Sequence, residues 1–260
     1  MAKFLIQSGQ NTMEDEERFV LEKLNEQKYL HTYHQVPLAE VADIHEQGLY
    51  PIGTIDFVTS YLQNAYGIGK ENPIEIPLYL RTEEFLKRNY SFLAWDQLPE
   101  HGSYFLKDCS QLKLFSGVIT ADYFITPELF EHKSRGKYDS TLILPKDHIY
   151  QVSSVFPVKA EYRVYVIQGK IENMVCYNGD CMILPDISLI KKAVALINLN
   201  EKWLRSYTID IMVGNPGTAI IEVHNFTSVG LYATLWGNNL VQAYIDGIDY
   251  LVNDNQELVT

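Results

Sequence analysis

Hydrophobic and polar positions change period several times along the chain, and the changes mark its elements. The apolar run inside Lys3–Gln7 predicts a short buried strand, and Thr12 with Asp15 forms a capping-box variant opening a helix through about Glu26. A second strand is expected near Tyr29–Tyr33, and Thr54 caps a helix running to Asn64, so residues 1–75 read as a small α/β layer. Gly67, Gly69 and Pro73 punctuate its end. Residues 76–148 follow as a second unit. In it, Thr82–Asn89 starts like a helix, Tyr104–Leu106 is a strand ending in Lys107, and Phe115–Ile119 is another. A turn-rich stretch over Lys133–Ser140 then leads to Thr141–Leu144.

Residues 149–260 form the third unit. Ile149–Val155 is a connecting strand, and Glu161–Ile167, Gln168-Gly169-Lys170 and Ile171–Tyr177 spell a hairpin. Asp186 or Ser188 caps a helix whose stripe is Ile190, Ala193, Val194 and Ile197. Two further strands, Tyr207–Val213 and Ala219–His224, flank a Gly-Asn-Pro-Gly-Thr loop. A closing helix from Asn238 or Asn239 puts Leu240, Val241, Tyr244, Ile245, Ile248 and Leu251 on one face. The pattern predicts an α+β protein without internal repeats.

The hairpin at 207–224 carries the most chemistry. Its loop sets position 210 opposite position 222, and period-2 alternation puts Glu222 and His224 on one face, so two carboxylates converge across the ladder. Close carboxylates repel unless a cation lies between them, and such oxygens suit Mg²⁺ holding a nucleotide phosphate. The other reading is an exposed hairpin face bearing two ordinary acids. Lys107 and Lys113 are either solvated lysines or two ammonium groups reaching a polyphosphate from one side. Arg163, in mid-strand, either pairs with Glu161 or a neighbouring strand or presents its fork to a carboxylate or phosphate.

Composition narrows the classes. With 260 residues, 47% of them hydrophobic, the chain can bury a large core, and no stretch is long and apolar enough to span a membrane. The start is too short for a secretory signal, and Cys109, Cys176 and Cys181 are too few for a disulfide framework, which together predict a cytoplasmic protein with reduced thiols. A net charge of -12 argues against a broad nucleic-acid surface. The chain has no Walker loop, no GxGxxG at a strand-to-helix turn and no GxSxG elbow.

The order of the pieces is specific. A strand ending in Lys107, a connecting strand, the Glu161-Tyr162-Arg163 hairpin, Asp210 and Ile221-Glu222-Val223-His224-Asn225 together resemble the ATP-grasp superfamily, in particular the small stand-alone members of bacteria and phages. The resemblance implies two α+β subdomains, 76–148 and 149–260, clamping ATP, after a Rossmann-like domain over 1–75. It implies Lys107 and Lys113 on the phosphates, the hinge Tyr150, Gln151, Val152 and Ser153 on the adenine edge, and Asp210 and Glu222 on Mg²⁺. Arg163 would steady the transferred phosphate or acyl group. Relatives have Glu-x-Asn where this chain has Glu222-Val223-His224 and then Asn225; alternation keeps His224 on the metal face unless a bulge swings Asn225 inward. A histidine nitrogen there would also suit Mn²⁺. The loop after Lys107, Asp108-Cys109-Ser110-Gln111, is poor in glycine, and Ser153-Ser154 stand where many relatives have an acid for the ribose.

The implied activity is a carboxylate–amine ligase that forms an amide or peptide-like bond through an acyl phosphate, acting on small-molecule or peptide carboxylates and amines. The alternatives are a non-catalytic nucleotide- or partner-binding protein on the same fold, or an ATP-dependent kinase.

Overall fold

In a computed structural model of the chain, the described residues are 1–8, 15–27, 30–69, 75–110, 115–126, 129–134, 137–138, 142–143, 145–227, 229–233 and 237–259. The first layer is built from β1 (Ala2–Ser8), α1 (Asp15–Glu26), β2 (His31–Pro37), α2 (Leu38–Val41), β3 (Leu49–Ile52) and α3 (Ile55–Tyr66). Its three strands are parallel in the order β2-β1-β3. The central β1 is buried on both faces, with Phe4 and Ile6 against α1 and Leu5 against α3, which explains its unbroken apolar run. β2 begins later than the sequence suggests, because parallel pairing carries it through exposed, polar His34 and Gln35. Thr54 caps α3 by accepting from the Phe57 amide, and Gly67 ends it at φ +73°. The predicted cap Thr12 lies outside the described residues.

The second sheet follows α4 (Glu83–Leu86). It comprises β4 (Tyr90–Ala94), β5 (Ser103–Asp108), β6 (Ser116–Thr126), β7 (Leu129–Ser134), β8 (Lys137–Tyr138), β9 (Leu142–Ile143) and β10 (Ile149–Ser154). The strands run antiparallel in the order β4-β10-β5-β6-β7-β8, with β9 pairing to β7. The stretch expected as turns over Lys133–Ser140 contains the end of β7 and β8 instead.

The third sheet contains β11 (Val158–Ile167), β12 (Lys170–Gly179), β13 (Tyr207–Gly214) and β14 (Gly217–Asn225), in the order β12-β11-β13-β14, with α5 (Ile187–Asn200) and α6 (Leu240–Val259) against it. Gln168 and Gly169, both left-handed at φ +50° and +71°, close its first hairpin. On one face Val164, Ile209, Ile211 and Ile220 pack on α5, whose N-cap Asp186 accepts from the Ser188 and Leu189 amides. Ile76, Leu80, Phe85 and Leu86 join the same core, although the sequence pattern places their segment at the opening of the N-terminal subdomain. α6 packs Leu240, Val241 and Tyr244 against Phe4, Ile6 and Tyr165, and so ties the first layer to the third. Among the described residues no helix is long and apolar enough to cross a membrane.

Candidate functional site

β10 leaves the second sheet at Ser154 and the chain crosses to β11 of the third. A cavity of about 500 Å³ lies beside this crossing. Alternation sets its walls. On β5, Tyr104 and Leu106 enter the core while Phe105 and Lys107 line the cavity; on β10, Tyr150 and Val152 are buried with them while Gln151 and Ser153 line it. The facing wall is supplied by Glu161, Tyr177, Asp210, Met212, Ile221 and Glu222.

Asp210 pairs with Glu222 across the ladder, but the next pair is Ile211 with Ile220, so Ile221 is an extra residue on β14. This bulge turns both Ile221 and Glu222 toward the cavity while Ile220 and Val223 stay in the core. Because it precedes Glu222, Asn225 is not swung inward. Its Oδ1 accepts from the Thr227 hydroxyl at 2.7 Å.

The charged groups form two clusters. Lys107 Nζ lies 3.1 Å from Glu222 Oε2 and 3.4 Å from Glu75 Oε1, the longer contact being an ion pair rather than a well-formed hydrogen bond. His224 Nε2 lies 2.7 Å from Glu222 Oε1. Burial presses the Glu222 carboxyl upward, yet His224 and Lys107 outweigh it and hold the group well below the usual carboxylate range. For Lys107, burial acts downward, but the Glu222 and Glu75 carboxylates raise the ammonium above its ordinary value. In the second cluster, Arg163 donates from Nε and Nη2 to the two oxygens of Asp210 at 2.8 Å each, and from Nη1 to the Gly230 carbonyl at 3.2 Å. The guanidinium lies 5.0 Å from the Tyr232 ring and 5.8 Å from Tyr177, and these two rings stack at 5.1 Å.

The structure thus brings Lys107, Asp210 and Glu222 to one cavity. It does not bring Arg163 there as a free fork, because its partner is Asp210 and its flat faces meet tyrosines. Tyr150 and Val152 turn away. The backbone of residues 150–153 pairs with β4 on one side and β5 on the other, and the first cavity residues beyond those ladders are Val155 and Phe156. Lys113 lies outside the described residues. Three cavity or site residues escaped the sequence reading: Glu75, Tyr177 and Arg88. Arg88 donates to the Leu86 and Ile220 carbonyls, and burial lowers its pKa to about 10. Arg88 and Tyr177 sit in ordinary sequence, and only the packing of distant strands reveals them.

Among the described residues no three His, Cys, Asp or Glu side chains converge as a metal cluster. His224 meets Glu222 rather than a shared point with Asp210, and Asn225 faces elsewhere. Asp210 and Glu222 alone still fit Mg²⁺ in its usual manner with nucleotides, through one or two carboxylates plus phosphate oxygens and water.

The architecture is that of a nucleotide-clamping protein, and the chain belongs to the ATP-grasp superfamily. Residues 85–238 match the family model of an ATP-grasp domain, the second family of its clade. Solved structures similar to it are ATP-grasp ligases. PsnB complexed with a minimal precursor is 10% identical, covers 95% of this chain and 99% of its own, and has a TM-score of 0.54. PsnB with minimal precursor, Mg and ADP is 12% identical over 96% and 97%, with a TM-score of 0.50. D-alanine–D-alanine ligase from Bacillus anthracis complexed with ATP is 11% identical over 99% and 98%, at 0.48. No curated protein matches the chain significantly.

Proposed function

We propose that the protein is an ATP-dependent carboxylate–amine ligase. The observation that carries the reading is the convergence of one lysine and two carboxylates, Lys107, Asp210 and Glu222, in the cavity beside the crossing between the two sheets. Adenine would lie by the crossing, against Val155 and Phe156, with Gln151 and Ser153 as polar contacts. Lys107 would bind the polyphosphate as a point charge, releasing Glu222. Asp210 and Glu222 would hold Mg²⁺, which when bound neutralises phosphate charge.

A substrate carboxylate oxygen then attacks the γ-phosphorus, the bond to ADP breaks, and an acyl phosphate forms. An amine nitrogen next attacks the acyl carbon, phosphate departs with the carbon–oxygen bond electrons, and the nitrogen loses a proton. The protein contributes fixed positive charge and positioning, with no covalent attachment to its own side chains.

A non-catalytic nucleotide-binding role is favoured by one observation, that Asp210 and Glu222 already carry protein cations. Steady ADP release that requires a mixed pool of amino acids and peptides supports the ligase. ATP binding without turnover supports the binder, and a phosphorylated product supports a kinase.

A further inference from the structure

We infer that Glu75 is a positioning residue for Lys107, a fixed anchor that keeps the ammonium at the cavity wall while a polyphosphate replaces Glu222. This rests on the ligase reading's assignment of Lys107 to the phosphates. Glu75 precedes the matched residues 85–238 and sits at the junction of all three units. Its backbone has φ +59°, unusual for a residue with a Cβ, and such conformations persist only where surroundings hold them. Here they do. The Glu75 carbonyl accepts from the Val223 amide at 3.1 Å on the outer edge of β14, and Glu75 Oε2 accepts from the Tyr90 hydroxyl of β4 at 3.2 Å. Glu75 Oε1 then faces Lys107.

The two carboxylates on Lys107 are not equivalent. Glu222 lines the cavity and its side chain is 22% exposed; Glu75 does not line it and is 12% exposed. An incoming phosphate therefore competes with Glu222 at the open side, whereas Glu75 stands behind the lysine. An ammonium has three donors, so the Glu75 contact is compatible with a phosphate contact. Fixing a long, flexible side chain beforehand removes an ordering cost from binding.

The test is calorimetry of ATP, ADP and adenosine in Mg²⁺ with the unaltered protein, Glu75→Gln and Glu75→Gly. Gln keeps the shape without the charge. Gly removes the side chain and relieves the positive φ, so it keeps the test open should the Gln variant fold poorly. Both variants should bind ATP and ADP about tenfold more weakly, near 1.4 kcal/mol, and adenosine equally well. In a Lys107→Ala background, Glu75→Gln should have no further effect, which a merely structural role would not produce. Unchanged or tighter ATP binding in both variants, or an equal loss for adenosine, overturns the inference while leaving the ligase reading standing. If the unaltered protein does not bind ATP, both fall.

Discussion

Asp210→Ala tests whether Asp210 is held by Arg163 as the geometry shows. The substitution leaves Arg163, itself only 9% exposed, with the Gly230 carbonyl and two tyrosine faces but no counter-charge. Breaking a buried ion pair by removing one partner costs about 3–5 kcal/mol. The surviving Gly230 contact argues for the lower end, about 3 kcal/mol, or a fall in melting temperature of roughly 6–12 °C for a chain of this size. Urea unfolding of the single variants and of Arg163→Met with Asp210→Leu gives the pair term. Replacing both charges by apolar groups should cost less than removing Asp210 alone, because no charge is left buried. A change within about 0.5 kcal/mol for Asp210→Ala would refute the reasoning and leave Asp210 as an unpaired carboxylate.

Lys107→Ala should abolish the ATP-induced rise in melting temperature and also destabilise the unliganded protein by roughly 2–3 kcal/mol, since it exposes Glu75 and Glu222 to each other; paired thermal melts check both. Chelation should weaken ATP binding yet leave the melting temperature without nucleotide unchanged, because the described residues hold no metal cluster that supports the fold. Gly179→Ala should lower stability by about 1–3 kcal/mol, as its φ is +82° and a Cβ would lie 2.2 Å from the Lys159 carbonyl; chemical denaturation measures it. Burial raises the Cys109 thiol to about 11, so at pH 8 only about one in a thousand is thiolate, and mass spectrometry should find exposed Cys181 alkylated well before it. Raising the pH toward 11 should close that gap.

The parts legible in the sequence were those set by local pattern. Alternation and loop length alone pair Asp210 with Glu222, and the observed register agrees, although the strands run on to a two-residue turn at Asn215-Pro216. The Thr54 and Asp186 caps and the apolar stripe of α5 are likewise local signals. What was hidden is long-range. Ile220 and Ile221 are identical in type, so nothing in the pattern tells which of them is the bulged residue that aims at the cavity. Arg163 had two open readings because its partner lies on another strand, and β4 was missed because its mixed side chains show no clean alternation until β10 pairs with it. Glu75 sits in a stretch without periodicity, and its role depends on meeting Lys107, Tyr90 and Val223 from three elements.

The most direct measurement of the proposed ligase chemistry follows the oxygen of the substrate carboxylate. The protein is incubated with ATP, Mg²⁺, amines and a pool of amino acids and peptides labelled with heavy oxygen in their carboxylates, with Lys107→Ala as the blank. Attack by the carboxylate on the γ-phosphorus, followed by amine displacement, transfers one labelled oxygen to inorganic phosphate. The account predicts heavy phosphate in step with ADP and amide, and neither in the blank. Phosphate carrying only solvent oxygen, or label retained in a phosphorylated product with no amide, would contradict it.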